Sequence, residues 1–446
     1  MPIDPQVDSQ VGRAIAGDTG RQANPADTTH PTDIAQTADS TDTARTANPA
    51  STTASGTAAT DHREHLIRTM LKMDGIPSGT QLIIHEGLAS ARERWADALA
   101  HGVAYGFQTF EWADAWQRTI GQAEGVRALV ADLRDSAGRT VMLWPLAIHR
   151  EGRLRVLRFL GGVVTDYNAP IIDPQFVQHL APGAIDRLWE AVLKALPRVD
   201  LVWLRRMPAV IEGVVNPMTQ LAQSRHTENA YAATLPDTAE AFKASRSPKH
   251  FADARRQLRR LNEIAPVVMI ERASGDQAAE LTAVMAVQKS RRWHESNGRD
   301  LFAEPGYLEF YQSLAAGPQA WSDTAVCGLQ VGQTTVATHW GIIFRGRHYW
   351  LMPGYEAGEW GKFSSGRLLM QHMIDWSIAQ GLTVFDLTVG DEDYKKAWAD
   401  HTLDLHEWVS PRTPAGWVPV LKRRARDWAR TQPALVNLVR RLRRAP

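Results

Sequence analysis

The stretch YWLMPGYEAGEWGKFSSGRLLMQHMIDWSIAQGLTVFDLTVGDEDYKKAW, residues 349–398, reads as strand, glycine-punctuated loop, helix, strand, and an acidic turn into a second helix. Its loop brings Ser364, Ser365 and Gly366 to the mouth of an apolar helix expected over 367–380. A helix N-terminus presents backbone N–H groups that no intrahelical carbonyl takes up, which suits a phosphate. The next strand, expected over 383–387, carries Asp386, and the turn beyond it supplies Asp391, Glu392, Tyr394 and Lys395. An anion cradle and a group of proton-handling side chains therefore fall on neighbouring edges of one sheet.

Three strands precede this stretch or open it, over 324–331, 335–344 and 347–352, with Gly332 and Gly346 at their turns. Before them stand a strand over 267–273 and helices over 277–294 and 307–314. The same order occurs earlier in the chain. A strand over 81–86 and a helix over 91–100 lead to a second helix holding Trp112, Ala115 and Trp116 on one face. Strands over 126–133, 141–149 and 154–160 follow, with Gly138 and Gly152 in their turns, then a helix over 182–196 and a strand over 199–204. One order of elements used twice points to two copies of an α/β domain, over residues 81–230 and 231–410. In each copy an antiparallel meander meets a strand–helix–strand unit, which takes a parallel, right-handed crossover. The expected fold is thus a mixed sheet flanked by helices, repeated in tandem. In such sheets a ligand sits where neighbouring strands part at their carboxyl ends.

The ends differ from this body. Residues 1–62 are rich in Thr, Ala, Asp and Pro and hold no Phe, Trp or Tyr, so they are expected to be a disordered tail. Residues 411–446 are expected to be a basic helical tail. Between Lys422 and Arg444 nine Lys and Arg stand against the single acid Asp427, with a partial apolar stripe of Trp428, Leu435, Leu438, Val439 and Leu442. That pattern fits a solvated helix, or peripheral contact with anionic lipid or a membrane-bound polymer synthase.

The formal net charge of +1 over 446 residues gives no global field toward nucleic acid or membrane. A hydrophobic fraction of 44% and a charged fraction of 22% are those of an ordinary globular enzyme. One cysteine, Cys327, excludes an intramolecular disulfide and suits a reducing compartment; its apolar neighbours suggest a buried, inert thiol. The N-terminus lacks a basic and apolar signal pattern, and no apolar run approaches the ~18 residues that span a bilayer, so a cytoplasmic location is expected. Sixteen tryptophans in periodic segments read as large core side chains.

Five motifs in this order resemble those of a known family: TFEWADAW (109–116), LGGVVTDYNAP (160–170), SPKHFADARRQLRRL (247–261), GYEAGEWGKFSSGRLLM (354–370) and FDLTVGDEDYKKAW (385–398). They look like those of GNAT-fold acyltransferases, in the branch associated with bacterial cellulose and exopolysaccharide biosynthesis (CelD-like). That branch is similar in turn to FemAB-type double-GNAT proteins. The resemblance covers about residues 82–410. It implies direct transfer of an acyl group from acyl-CoA, acetyl-CoA or longer, to an amine or hydroxyl acceptor such as a polysaccharide or cell-envelope precursor, with no metal. The usual GNAT pyrophosphate loop, Gln/Arg-x-x-Gly-x-Gly/Ala, is reduced here to one glycine, Gly366, preceded by Lys362, Ser364 and Ser365 and followed by Arg367.

Those five residues are the candidate donor site; Ser364 or Ser365 acting as an ordinary helix cap is the plainer alternative. Acyl transfer needs a base for the attacking group and an acid for the leaving thiolate. Tyr394 matches the tyrosine that many GNAT enzymes use as general acid, and Lys395 resembles the lysine of the branch's Tyr-Lys pair. Asp386, Asp391 or Glu392 could serve as base. His339, within the strand expected over 335–344, either faces the cleft as a base or is a core residue. Asp166 and Tyr167 either contact the acceptor or form a turn. A basic helix is capped by Ser247 and Pro248, turns Phe251, Ala254, Leu258 and Leu261 inward, and exposes Lys249, Arg255, Arg256, Arg259 and Arg260. That face is either solvated or phosphate-binding. It keeps two further readings open: an aminoacyl-tRNA donor, as in FemAB-type relatives, or a non-catalytic accessory subunit of an exopolysaccharide synthase. Aromatic interleaving of the kind that stacks bases is missing, so DNA is not an expected partner.

Overall fold

A computed structural model of the chain describes residues 67–317 and 320–430. The tail expected over 1–62 and the last part of the basic tail, 431–446, lie outside the described residues.

The N-terminal half opens with β1 (Ile67–Met70), β2 (Gln81–Glu86), α1 (Arg92–His101) and α2 (Phe110–Trp116). A meander of β3 (Arg127–Arg134), β4 (Thr140–Glu151) and β5 (Leu154–Phe159) follows. After β6 (Ile171–Ile172) come α3 (Pro174–Gln178), α4 (Ala184–Ala195), β7 (Leu201–Pro208) and the small hairpin of β8 (Val210–Ile211) and β9 (Val214–Val215). The chain then crosses through β10 (Arg225–Thr234), α5 (Ala239–Ala244) and α6 (Pro248–Asn262). The C-terminal half holds β11 (Val267–Ile270), α7 (Gly275–Glu295), α8 (Tyr307–Ala315), β12 (Thr324–Val331), β13 (Thr334–Phe344) and β14 (Arg347–Tyr355). It ends with α9 (Ser365–Ala379), β15 (Val384–Val389), α10 (Asp393–Trp398), β16 (His401–Pro411) and α11 (Pro414–Arg430).

Local chemistry explains these elements. In α4, Ile185, Leu188, Trp189 and Val192 recur at helical spacing and all are buried. Asp173 caps α3 by accepting the amide of Gln175 at 2.8 Å, with Pro174 at the first turn. The β3–β4 turn closes because Asp135 accepts the amides of Ala137 and Arg139, while Gly138 takes the left-handed conformation (φ 81) that the turn requires. β4 is buried over ten consecutive residues, as a strand covered on both faces must be.

The strands join into one mixed sheet in the order β1-β2-β3-β4-β5-β7-β16-β10-β15-β14-β13-β12-β11, with β6 on β4. Only β5–β7 and β14–β15 run parallel among these neighbours. The fold is therefore α/β with a mixed sheet flanked by helices. At the middle of the sheet the two halves exchange strands. β10, which follows β7 in the chain, pairs with β15, and β16, which follows β15, pairs with β7. The two also pair with each other through Ala230↔Leu403. Neither strand was expected from the sequence, and the boundary placed at 230/231 falls inside β10.

An aromatic core continues the exchange. Trp95, Trp112, Trp116, Trp144, Trp189 and Trp340 are among the largest fully buried side chains. Trp112 of α2 meets Phe310 of α8 edge to face at 4.9 Å and lies 6.2 Å from Trp340 of β13, so helices of the two halves share one interior. Cys327 is buried in the C-terminal core, where burial pushes its thiol pKa up. Among the described residues no helix is long and apolar enough to cross a membrane.

Candidate active site

The parallel pairing of β14 with β15 covers Arg347↔Val384, His348↔Phe385 and Tyr349↔Asp386. Beyond that point the strands part, although each runs on: β14 stays paired with β13 as far as Tyr355, and β15 with β10 as far as Val389. A wedge opens between two main chains at their carboxyl ends. The loop into α9 leaves from one side of it, and the turn into α10 from the other.

Ser364 sits at the start of α9 in the left-handed conformation (φ 53). Neither Ser364 nor Ser365 caps the helix with its side chain, so the plain N-cap alternative is not what these serines do. The main chain does that work: the amides of Arg367 and Leu368 donate to the Ser364 carbonyl at 2.9 and 3.2 Å. Of the amides of Ser365, Gly366 and Arg367, Arg367's is thus engaged, and those of Ser365 and Gly366 find no backbone acceptor among the described residues. The buried Ser365 hydroxyl and the shielded Arg367 Nε find no hydrogen-bond partner among the described residues. Gly366 lies against Tyr355 of β14, where a Cβ would come within 3.2 Å of the ring. Lys362 is exposed, with Nζ 5.1 Å from the Phe363 ring.

Across the wedge, Lys395 is 5% exposed, and its ammonium donates to the Val389 carbonyl and pairs with the Glu392 carboxylate at 3.1 Å. Gly390 (φ 128) makes room for that acid, because a Cβ there would lie 2.3 Å from Glu392 Oε2. Tyr394 is half-buried; burial, then the charges of Glu392 and Tyr355, push its phenol pKa up. A phenol held protonated can donate a proton to a leaving group. Asp391 is exposed and accepts the Tyr231 hydroxyl of β10 at 2.6 Å.

The sequence reading missed Lys289 of α7. Burial first, then Lys395's charge, hold its pKa down at about 8 against an opposing Glu392, with Arg292 adding a smaller lowering. Its Nζ lies 5.2 Å from the Trp293 ring. A signal was present: Leu281, Met285, Lys289 and Trp293 fall four residues apart on the buried face of α7, so one lysine interrupts an apolar stripe.

Two expected bases are placed otherwise. Asp386 is fully buried at the closed end of the wedge, and three donors saturate it: Arg347 Nη1 at 2.8 Å, the Tyr167 hydroxyl at 2.7 Å and the Thr388 amide at 2.8 Å. These bonds tie the carboxylate into the fold, and its partners come from both halves of the chain. His339 does not face the cleft. It is fully buried, stacked on Trp350 at 3.6 Å, and its Nε2 accepts the Leu351 amide at 3.1 Å beside the β13 bulge. Burial, aided by His348, pushes its pKa well below the usual histidine value. Asp166, the neighbour of Tyr167, pairs with Arg206 at 3.1 Å in the N-terminal half.

The parting strands and the mouth of α9 thus stand across one gap from Glu392, Tyr394 and Lys395. Residues 248–396, a third of the chain, match the family profile described as an acetyltransferase (GNAT) domain. The chain thus carries a GNAT-type acetyltransferase domain and is an acyltransferase-type enzyme. No curated protein matches the chain at a significant level. Among solved structures it is similar to FemX, with a TM-score of 0.52 at 10% identity over 72% of this chain and 96% of that one. That likeness shows the fold. L-PGS from Bacillus licheniformis matches with a TM-score of 0.43 at 12% identity, over 74% of this chain and 94% of that one. A tandem GNAT protein from the clavulanic acid biosynthesis pathway gives 0.42 at 12%, over 74% and 98%.

Proposed function

We propose that this protein transfers an acyl group from a thioester donor directly to an amine or hydroxyl in the wedge between β14 and β15. The observation that carries this reading is the end of β14–β15 pairing at Tyr349↔Asp386, with the mouth of α9 beside it. A thioester lying along the open edge of β14 directs its phosphates to the amides of Ser365 and Gly366, with Lys362 and Arg367 adding charge. The acceptor's lone pair attacks the carbonyl carbon, the new C–N or C–O bond forms, and the C–S bond breaks. Tyr394 protonates the thiolate as general acid, while Glu392, held by Lys395, takes the acceptor's proton through its free lone pairs or a water. The buried Lys395 and Lys289 offset negative charge as it develops on the carbonyl oxygen. The motif resemblance supports a polysaccharide or cell-envelope precursor as acceptor and a division into tandem domains. The basic α11 supports peripheral contact with a membrane or a polymer synthase.

The test is thermal stabilisation by acetyl-CoA and longer acyl-CoAs, on the wild type and on Gly366→Trp, whose side chain would fill the space against Tyr355. A shift seen only in the wild type supports the donor site. No shift with any acyl-CoA overturns a CoA donor.

One observation favours a second reading, with aminoacyl-tRNA as donor. α6 packs beside the donor loop, where Arg260 lies 5.1 Å from the Phe363 ring, and it exposes Arg255, Arg256 and Arg259 to solvent. A large polyanion attached to the acyl group would be gripped there. Stabilisation by charged tRNA, and none by acyl-CoA, would select this donor.

A further inference from the structure

Two of the sixteen tryptophans are exposed, and both lie on α11: Trp417 at 46% and Trp428 at 62%. Val418 and Leu421 of the same helix are exposed as well, at 49% and 55%. On no other element among the described residues do two exposed large apolar side chains occur. At about 100° per residue, Trp417, Val418, Leu421, Ala425 and Trp428 share one arc of about 100° on the helix surface. A contiguous apolar face of this kind marks a contact surface, whereas scattered exposed residues do not.

The arc faces outward because the opposite side of α11 is held. Gly416 lies so close to Asp200 that a Cβ would overlap its carbonyl. Val420 and Arg423 are half-buried. The Arg423 guanidinium pairs with the buried Glu407 of β16 at 2.7 Å and lies 5.3 Å from the Trp203 ring of β7.

Both margins of the arc are basic. Arg424 borders it beside Trp417, and Lys422 borders it beside Val418. Both cations are exposed, and neither makes an ion pair among the described residues. The one acid of α11, Asp427, is taken by Arg423 at 3.7 Å. The sequence beyond α11 adds Arg440, Arg441, Arg443 and Arg444 and no acid.

An apolar, tryptophan-bearing face with unpaired cations on both margins complements the surface of an anionic bilayer. Indole rings settle where apolar tails meet wet headgroups, and lysine and arginine meet the lipid phosphates around them. A second copy of this face is a poor partner, because a two-fold pairing sets the same cations against each other. α11 is not long and apolar enough to cross a membrane, so its place is in the plane of the surface.

We propose that α11 docks on the surface of an anionic phospholipid bilayer, with Trp417, Val418 and Leu421 entering between headgroups and Lys422 and Arg424 meeting lipid phosphates. Lipid is then the one partner of the peripheral contact already proposed for α11, and rests on that reading; the chemistry of the wedge does not depend on it.

The test is co-sedimentation of the full chain with vesicles of phosphatidylcholine alone and of an equal mixture of phosphatidylcholine and phosphatidylglycerol. The proteins are the wild type and two double variants, Trp417→Ser with Leu421→Ser and Lys422→Gln with Arg424→Gln. All four side chains are exposed, so both variants should fold and melt as the wild type does. The expected result is binding to the anionic vesicles alone, weakened by salt, about tenfold lower in the first variant and several-fold lower in the second. Equal binding to neutral vesicles, or no vesicle binding, overturns the proposal. Anionic-vesicle binding that is unchanged in both variants also overturns it, and leaves peripheral association standing on another face. A concentration-dependent dimer lost in the first variant, with no vesicle binding, gives the face to a second copy instead. Stabilisation by acetyl-CoA without lipid reports the wedge alone, so failure of the acyl-transfer reading is seen apart from failure of lipid docking.

Discussion

The two halves open their sheets in the same way and furnish the openings differently. In each, a pair of parallel strands holds register for two or three residues and then parts. Beyond β15 the chain turns through Gly390 into α10, which swings Glu392, Tyr394 and Lys395 back over the gap. Beyond β7 it passes instead into the hairpin β8–β9, and no acid–phenol–lysine group returns. The C-terminal opening thus gains proton-handling groups, whereas the N-terminal one is lined by arginines from its own strands. Strand divergence creates a place for a ligand; the segment that follows the strand decides whether that place can do chemistry.

The comparison breaks most visibly at the shared base of the C-terminal wedge. Asp386 neutralises the buried Arg347 and ties Tyr167 of the other half to β15. Asp386→Ala leaves a guanidinium buried without its partner, a loss of about 3–5 kcal/mol. Urea unfolding should show it, while the rate per folded molecule stays near wild type. A full loss of turnover at unchanged stability would return Asp386 to the role of base. Next in size is Tyr394→Phe. Thiol release from acetyl-CoA with an amine acceptor should fall about 100-fold with KM nearly unchanged, as for a general acid acting in the transition state. An unchanged rate removes α10 from the chemistry.

Much of this contrast was legible in the sequence. The meanders, both crossover helices and the loop into α9 follow from periodicity and glycine placement, since those segments bury continuous apolar faces. β10 and β16 were not legible by alternation: the buried run of β10, Ala230–Ala233, is short and three of its four residues are alanine, and in β16 a buried acid stands between Leu405 and Trp408. Glu407 of β16 is 1% exposed, held by Arg225 at 2.5 Å and by Arg423 of α11 at 2.7 Å, so an ion-paired acid stands where alternation predicts a hydrophobe. Asp386 was legible as an unusual residue in a strand but not as a structural one, while for His339 the core reading stood beside the catalytic one without its partner. Their partners, Tyr167 and Trp350, come from other strands or the other half, a distance that local pattern does not span. Lys289 was hidden for the opposite reason: a lysine in a helix reads as solvated until the stripe of α7 is laid out around it.

Lys289 gives a test of the C-terminal opening through pH. Its native pKa, about 8, lies below the usual lysine value. Between those two pH values the unfolded chain binds a proton that the native state has released, so stability rises with pH in that window. Relative to Lys289→Met, the wild type should gain roughly 2–3 kcal/mol between pH 8 and pH 10.5, and the variant should be the more stable near pH 7. Parallel pH profiles for the two proteins would mean that Lys289 is solvated and has no part in the wedge.

The smallest effect separates the donors. Arg255 and Arg259 lie on the exposed face of α6, so the double Ala variant should change stability by less than about 0.5 kcal/mol. It should also leave acetyl-CoA binding intact, because the donor loop has its own cation in Lys362 and its own amides in α9. Charged tRNA behaves differently, since removing one arginine–phosphate pair lowers the salt slope of its affinity by about one. A drop of that kind, with binding weakened alike for every tRNA sequence, would make α6 part of the donor site. Equal slopes for the variant and the wild type would leave α6 a solvated face and confine the donor to the opening between β14 and β15.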